Sequence, residues 1–381
     1  VPAQPADGPP TSGIWWEGAP AGGRKFTDVG DVKLETGEAL PGVRVAYETW
    51  GQLNADASNA VLILHALTGD SHVIGPAGEG HPTAGWWPGM VGPGAPIDTR
   101  RYFVVAPNVL GGCQGTTGPS TSSGATPPAP WGSRFPRITV RDQIAVEVRL
   151  ADTLGIERWA AVLGGSMGGM RAVEWAVTWP ERVDRLMLLA TCAAASAEQI
   201  GLSAAQIQAI RADPAFRGGD YYDVPPDRGP TVGLGIARRI AHISYRSEPE
   251  LQTRFGRAPQ KAENPYGDGR FAVESYLDHQ ADKLVRRFDA NSYVRLSEAM
   301  NTHDVGRDRG GIESALARVS ARTVVAGVDS DRLYPLWQQE ELARYIPGAG
   351  PVAVVSSPCG HDGFLVETAA VGALVADLLS E

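Results

Sequence analysis

The feature that most limits what this chain can fold into is Gly164-Gly165-Ser166-Met167-Gly168-Gly169, which matches G-x-S-x-G. It follows an apolar run at residues 159–163 and precedes a helical segment through Val173, Trp175 and Ala176 that stops at Pro180. A serine between a buried strand and a helix must sit on a sharp, strained turn, and only glycine neighbours leave room for it. Such a turn lifts Oγ clear of the sheet and aims the N-terminus of the next helix at developing negative charge. Ser166 is therefore the expected nucleophile.

The rest of the chain agrees with a strand–turn–helix unit repeated in a layered fold. Residues 43–50, 60–65 and 102–107 are short β-branched or apolar runs bounded by Gly, Pro, Asn or Asp, the punctuation of strands. Residues 144–155 read as a helix ending at Gly155, and residues 183–190 as a strand covered on both faces. From about residue 193 to 317 the pattern is helical, with Val273, Tyr276, Leu277, Gln280, Leu284, Val285 and Phe288 at three- and four-residue spacing. Strands return at 323–328 and 352–355, and a helix at 366–379 follows. Alternation, helical interruption and renewed alternation predict an open, mostly parallel α/β sheet flanked by helices and carrying a helical cap. The expected division is a core in two parts, 1–192 (with 1–25 as an N-terminal extension, Pro/Gly-rich and draped or frayed) and 319–381, around an inserted lid at 193–318.

A serine at its free pKa needs a base, and the base needs an orienting carboxylate. In this architecture they follow in the order Ser, Asp or Glu, His. Of the histidines after Ser166, His242, His279 and His303 fall in the helical stretch. His361 lies in Ser357-Pro358-Cys359-Gly360-His361-Asp362-Gly363, the loop after the last strand, where it can meet Ser166. The strand at 323–328 leads into Asp329-Ser330-Asp331. Either aspartate is possible; Asp331, deeper in the loop, is favoured, while Asp329 at the strand exit also suits a turn cap. For the oxyanion, the backbone N–H groups of Met167 and of Leu67, in His65-Ala66-Leu67-Thr68-Gly69-Asp70, are the candidates. His65 reads as a structural residue at a strand end.

Composition excludes several classes. Lys plus Arg number 34 against 43 Asp plus Glu, a net charge of −9 with no basic run, so nucleic acid is not an expected partner. There is no Gly-Lys-Ser/Thr phosphate loop. Cys113, Cys192 and Cys359 are sparse and unpaired in spacing, which suits a reducing compartment. No metal-ligand pattern stands out. Residues 1–13 have neither a basic n-region nor an apolar h-region, and the longest apolar stretch, 186–195, is far short of the roughly 20 residues of a membrane span. A cytoplasmic protein with no membrane partner is expected.

Several segments together resemble the homoserine O-acetyltransferases: residues 65–70, Asn108-Val109-Leu110-Gly111-Gly112-Cys113-Gln114-Gly115-Thr116-Thr117-Gly118-Pro119-Ser120, residues 164–169, Ser275-Tyr276-Leu277, Arg287-Phe288-Asp289-Ala290-Asn291-Ser292-Tyr293 and Gly360-His361-Asp362. They run in order through most of the chain. The resemblance implies an α/β-hydrolase fold with a helical lid, and a homodimer built through that lid. It implies transfer of acetyl from acetyl-CoA, a co-substrate rather than a cofactor, to L-homoserine through an acyl-serine in methionine biosynthesis. It assigns the triad to Ser166, Asp331 and His361, the substrate carboxylate to Arg238 and the substrate ammonium to Asp362. One cation and one anion are what a zwitterionic acceptor requires, and arginine grips a carboxylate bidentately. Arg239 and Arg246 are candidates for the CoA diphosphate; Trp86, Trp87, Tyr221 and Tyr222 are candidates for an entrance, with core packing the default for such aromatics. The alternatives are a succinyl-CoA- or serine-specific relative, or a carboxylesterase using water as acceptor.

Overall fold

The computed structural model describes residues 14–126, 129–224 and 228–380; residues 1–13 of the N-terminal extension and 127–128 of the Gly-rich loop lie outside them. Eight strands form the main sheet: β1 (Lys25–Lys33), β2 (Ala39–Trp50), β3 (Ala60–Leu64), β4 (Phe103–Pro107), β5 (Ala161–Gly165), β6 (Arg185–Leu189), β7 (Arg322–Val328) and β8 (Ala353–Val355). Their spatial order is β1-β2-β4-β3-β5-β6-β7-β8. β1 and β2 pair antiparallel, β2 runs antiparallel to β4, and every later pairing is parallel. The mostly parallel sheet anticipated from the strand–helix alternation is thus the one formed, and β1 is an edge addition that the periodicity did not reveal.

The central strands are apolar along their whole length because both faces are covered. Leu62, Leu64, Leu186 and Leu188 point into one cluster, whereas Val61, Ile63, Met187 and Leu189 point into another, the two-residue alternation of a pleated strand. The first face is covered by α1 (Val140–Thr153), α2 (Met167–Thr178) and, further along the chain, Leu342 of the helix after β7; the second by Val371, Val375 and Leu378 near the C-terminus. α1 starts at a full capping box, with Thr139 Oγ1 accepting from Asp142 N and the Asp142 carboxylate accepting from Thr139 N.

Between β6 and β7 come α3 (Ala197–Ala212), α4 (Thr231–Tyr245), α5 (Glu248–Phe255), α6 (Ala272–Val285), α7 (Ala290–Asn301) and α8 (Ile312–Leu316), with no strand of the main sheet among the described residues. α3, α4, α6 and α7 share an apolar cluster of their own, including Ile210, Leu234, Leu284 and Leu296, and that cluster takes in Leu67 and Met167 from the core. Ala315 and Leu316 of α8 join the core cluster instead. After β7 follow α9 (Leu336–Tyr345), α10 (Gly363–Val366) and α11 (Thr368–Leu379). The described part of the N-terminal extension is pinned rather than frayed: Trp15 N–H donates to Cys113 O (2.9 Å), and Arg24 Nη2 to Gln114 Oε1 (2.8 Å).

One buried ion pair ties the layers together. Arg171 on α2, fully buried, donates to Glu147 Oε1 of α1 (2.6 Å) and to the carbonyl of His65 just past β3 (2.8 Å), while Trp175 Nε1 donates to Glu147 Oε2 (2.8 Å). Removing one partner leaves a buried charge without compensation. Arg171→Leu should therefore lower the unfolding free energy by about 3–5 kcal/mol, read from urea denaturation midpoints; an unchanged midpoint would contradict this role for the pair.

Candidate active site

β5 hands directly to α2 through Ser166, whose backbone sits at φ 55°, ψ −126°, a conformation a side chain rarely tolerates. The crowding is measurable: a Cβ on Gly164 would lie 2.1 Å from Gly168 O, and one on Gly168 would lie 2.0 Å from Leu64 O. The start of α2 therefore crosses against the end of β3, and only hydrogen atoms fit at the contact. Ser166 N–H donates to Leu189 O (3.0 Å) and Ser166 O accepts from Thr191 Oγ1 (2.9 Å), which holds the turn from the β6 side.

The three residues foreseen as a unit are brought together. Ser166 Oγ lies 2.9 Å from His361 Nε2, and His361 Nδ1 lies 2.7 Å from Asp331 Oδ2. With a carboxylate on one nitrogen and a hydroxyl on the other, Nδ1–H donates to Asp331 and Nε2 accepts from Ser166. Asp331 Oδ1 accepts the backbone N–H groups of Leu333 (2.8 Å) and Tyr334 (2.9 Å), so the carboxylate is fixed by its own loop. The other aspartate, Asp329, accepts from Ser357 N (3.0 Å) and fastens the two loops to each other. His361 is enclosed by rings: Tyr334 stacks on it at 4.8 Å and 22°, with Phe364 at 5.3 Å and Tyr245 at 5.8 Å. Burial keeps the Tyr334 phenol neutral, and its hydroxyl meets that of Ser166. Burial likewise pushes the thiols of Cys113 and Cys192 far up, so neither supplies a thiolate.

A cavity of about 440 Å³ opens over this group. Ala66, Leu67 and Thr68 line it on the core side, and residues of α4, α5 and α6 on the other. Leu67 N–H makes no hydrogen bond within the described residues, and Met167, as first residue of α2, has no intrahelical acceptor for its own. Arg238 lies in the cavity wall with Nε and Nη1 buried and unpartnered, its guanidinium 5.5 Å from the centre of the Tyr245 ring. Asp362, next to His361, lies in the same wall and accepts from Arg246 Nη1 (3.0 Å).

Other expectations fare differently. Trp86 lines the cavity, but Trp87 is buried in the core, and Tyr221 and Tyr222 donate to Asp289 (2.6 and 2.9 Å), the cap of α7. Arg239 is absent from the wall; it is held by Asp278 (2.6 Å). Arg246 is in the wall but engaged by Glu250 and Asp362. His279 is exposed on α6. His65 is structural: Nδ1–H donates to Ala66 O (2.8 Å) and Nε2 accepts from Val109 N (3.1 Å). The long loop at 108–120, so distinctive in sequence, does not line the cavity. It braces the scaffold, with Asn108 Nδ2 donating to Gln114 O (2.7 Å) and Gln114 Nε2 to Arg287 O (3.1 Å).

Residues of metal-ligating type meet in one place among those described, the buried group Glu48, His72 and His81, whose ligand atoms lie within 4.8 Å of one another. It stands away from the cavity wall, and most of its polar atoms are engaged, His81 Nδ1 being buried without a partner. Glu48 accepts from Ser71 Oγ (2.8 Å) and His72 Nδ1 (3.1 Å), and His81 Nε2 accepts from Gly23 N (3.0 Å). The hydrogen bond from His72 to the Glu48 carboxylate raises the pKa of His72, while burial lowers that of His81.

The sheet order, the serine turn between β5 and α2, and the Ser–His–Asp hydrogen-bond chain define an α/β-hydrolase. A family model described as alpha/beta hydrolase fold matches residues 59–368. The chain is 64% identical over 373 residues to the homoserine O-acetyltransferase of Thermobifida fusca, covering 98% of each. The crystal structure of homoserine O-acetyltransferase from Bacillus anthracis is similar with a TM-score of 0.84 at 27% identity, over 94% of this chain and 97% of that one. Esterase E22 is as similar in fold, with a TM-score of 0.85 at 24% identity over 94% and 99%. The chain belongs to the homoserine O-acetyltransferase family, and it is an acyltransferase on a hydrolase fold.

Burial holds His65 at a pKa of about 3, and His81 and His242 at about 4, against an ordinary 6.5. Each is neutral when folded and binds a proton when unfolded below that ordinary value, so its contribution to stability is complete above 6.5 and declines as the pH falls. Urea midpoints should fall between about pH 7 and about pH 4, and less steeply in His65→Asn. Parallel slopes for wild type and variant would contradict the assignment.

Proposed function

We propose that the protein transfers acetyl from acetyl-CoA to the side-chain hydroxyl of L-homoserine, by way of an acetyl-Ser166 intermediate. The observation that carries this reading is the cavity itself, where the Ser166–His361–Asp331 chain shares one wall with Arg238, whose Nε and Nη1 are buried without a partner, and with a carboxylate, Asp362. An ester hydrolase with water as acceptor has no use for that charge pair. An amino acid acceptor does, because its carboxylate and ammonium need opposite partners.

In the first half-reaction, Ser166 Oγ attacks the thioester carbonyl while its proton passes to His361 Nε2. The oxyanion is held by the N–H groups of Met167 and Leu67, preset and needing no reorganisation. The C–S bond breaks, and the thiolate takes the proton from His361. Homoserine then docks with its carboxylate on Arg238 and its ammonium on Asp362, and its hydroxyl gives its proton to His361 as it attacks the acyl carbon. Collapse expels Ser166 Oγ, which recovers the proton, and O-acetyl-L-homoserine leaves. Asp331 keeps the proton on Nδ1 and supports the imidazolium in both halves, and the stacked Tyr334 ring offers its face to the same cation.

The reading extends to setting. Cys113, Cys192 and Cys359 are unpaired, which suits the cytoplasm. No helix among the described residues is long and apolar enough to cross a membrane. A homodimer through the lid is part of the proposal; the exposed apolar residues Val232, Ile236 and Ile243 on α4 support it, since such a face favours a protein partner.

With acetyl-CoA and homoserine supplied together, the product should be O-acetylhomoserine with little free acetate, and double-reciprocal plots at several homoserine concentrations should be parallel. Arg238→Leu should raise the KM for homoserine by about 100-fold, the loss of a charge-assisted bidentate contact, with less effect on acetyl-CoA. Acetate as the main product, or intersecting lines, would overturn the proposal.

A further inference from the structure

The cavity over Ser166 is lopsided in charge. Its wall carries five cations, Arg238, Arg246, Arg254, Lys283 and Arg287, against the carboxylates of Asp70 and Asp362, in a chain whose net charge is −9. Three of the five have identifiable work. Arg238, half-buried with Nε and Nη1 shielded from solvent, serves the acceptor in the reading above. Arg246 is bonded by Glu250 and Asp362. Arg287 donates to Thr68 O (2.6 Å) and steadies the loop that carries Leu67.

Arg254 and Lys283 are left over. Both are exposed, at the end of α5 and in the last turn of α6. Lys283 has no ion pair among the described residues. Arg254 lies over the rings of Phe255 (4.9 Å) and Tyr276 (4.6 Å) and has only a 3.7 Å approach to Glu250, whose carboxylate Arg246 already occupies. A guanidinium laid on aromatic faces keeps its charge and loses side-chain freedom, while its in-plane N–H groups stay open to an acceptor.

We propose that Arg254 and Lys283 form a phosphate-binding rim at the mouth of this cavity, which takes the diphosphate end of the acyl donor while the thioester reaches inward to Ser166. The proposal rests on the acetyl-transfer reading above. It also gives that reading a source of donor selectivity: the reacting bond is the same in every acetyl thioester, so preference for acetyl-CoA over a simpler acetyl thioester must come from contacts remote from that bond.

The test compares kcat/KM for acetyl-CoA with that for S-acetyl-N-acetylcysteamine, which has the thioester but no phosphate, at saturating homoserine. The ratio of the two should fall about three- to tenfold in Lys283→Ala and in Arg254→Ala, and further in the double variant. Lys283→Arg should keep most of it. Added salt should lower the ratio in the wild type more steeply than in the double variant. An unchanged ratio in the double variant, or equal losses with both donors, would overturn the rim. A wild-type protein that acetylates homoserine from neither donor would instead overturn the acetyl-transfer reading.

Discussion

The structure depends on a steric contact: α2 begins so close to the end of β3 that Gly168 has the Leu64 carbonyl where a Cβ would be. That crossing forces Ser166 into a positive-φ conformation, and the forced conformation puts Oγ above the sheet at the distance His361 requires. It also leaves the first N–H of α2 open and pointed at the serine's own reaction zone. Strain of this kind persists only where the surroundings over-determine it. Here they do, through Leu189 and Thr191, which bond the Ser166 backbone, and through the buried Arg171 of α2, which bonds His65 O just past β3.

The helical layer is joined to this centre rather than merely placed above it. Met167 and Leu67, the two residues whose N–H groups face the oxyanion in the proposed mechanism, send their side chains into the apolar cluster of α3, α4, α6 and α7. Arg287 holds the carbonyl of Thr68, and Gln114 holds the carbonyl of Arg287. A movement of the helices would therefore shift the oxyanion donors of the proposed mechanism. The same layer supplies Arg238 and the Tyr245 ring to the cavity, whereas the other rings about His361, Tyr334 and Phe364, come from the segments after β7.

Much of this was legible in the sequence. Strands covered on both faces leave unbroken apolar runs, so β3, β5, β6 and β7 could be read to within two residues at each end, and the glycines around Ser166 marked the turn because no other residue fits. The choice of Asp331 over Asp329 followed from depth in the loop, and the structure pairs Asp331 with His361. What stayed hidden depends on long-range packing. β1 alternates exposed with half-buried residues and contains Gly30, so it carries no strand signature. The 108–120 motif carried the resemblance without revealing its role, which is that of a brace. Arg239 and Arg246 were indistinguishable from Arg254 and Lys283 in sequence, because being neutralised depends on Asp278 and Glu250, which come from other turns or other helices. Trp87, Tyr221 and Tyr222 show the same limit: an aromatic residue reads alike whether it borders a cavity or fills a core.

The central claim is that Ser166 carries the acyl group between donor and acceptor. Mixing the protein with acetyl-CoA alone, then quenching and mapping peptides by mass spectrometry, tests it without the second substrate. The account predicts one acetyl group, on Ser166, that is discharged when homoserine is added. An unmodified Ser166 in the quenched sample, or an acetyl group on another residue that homoserine removes, would contradict it.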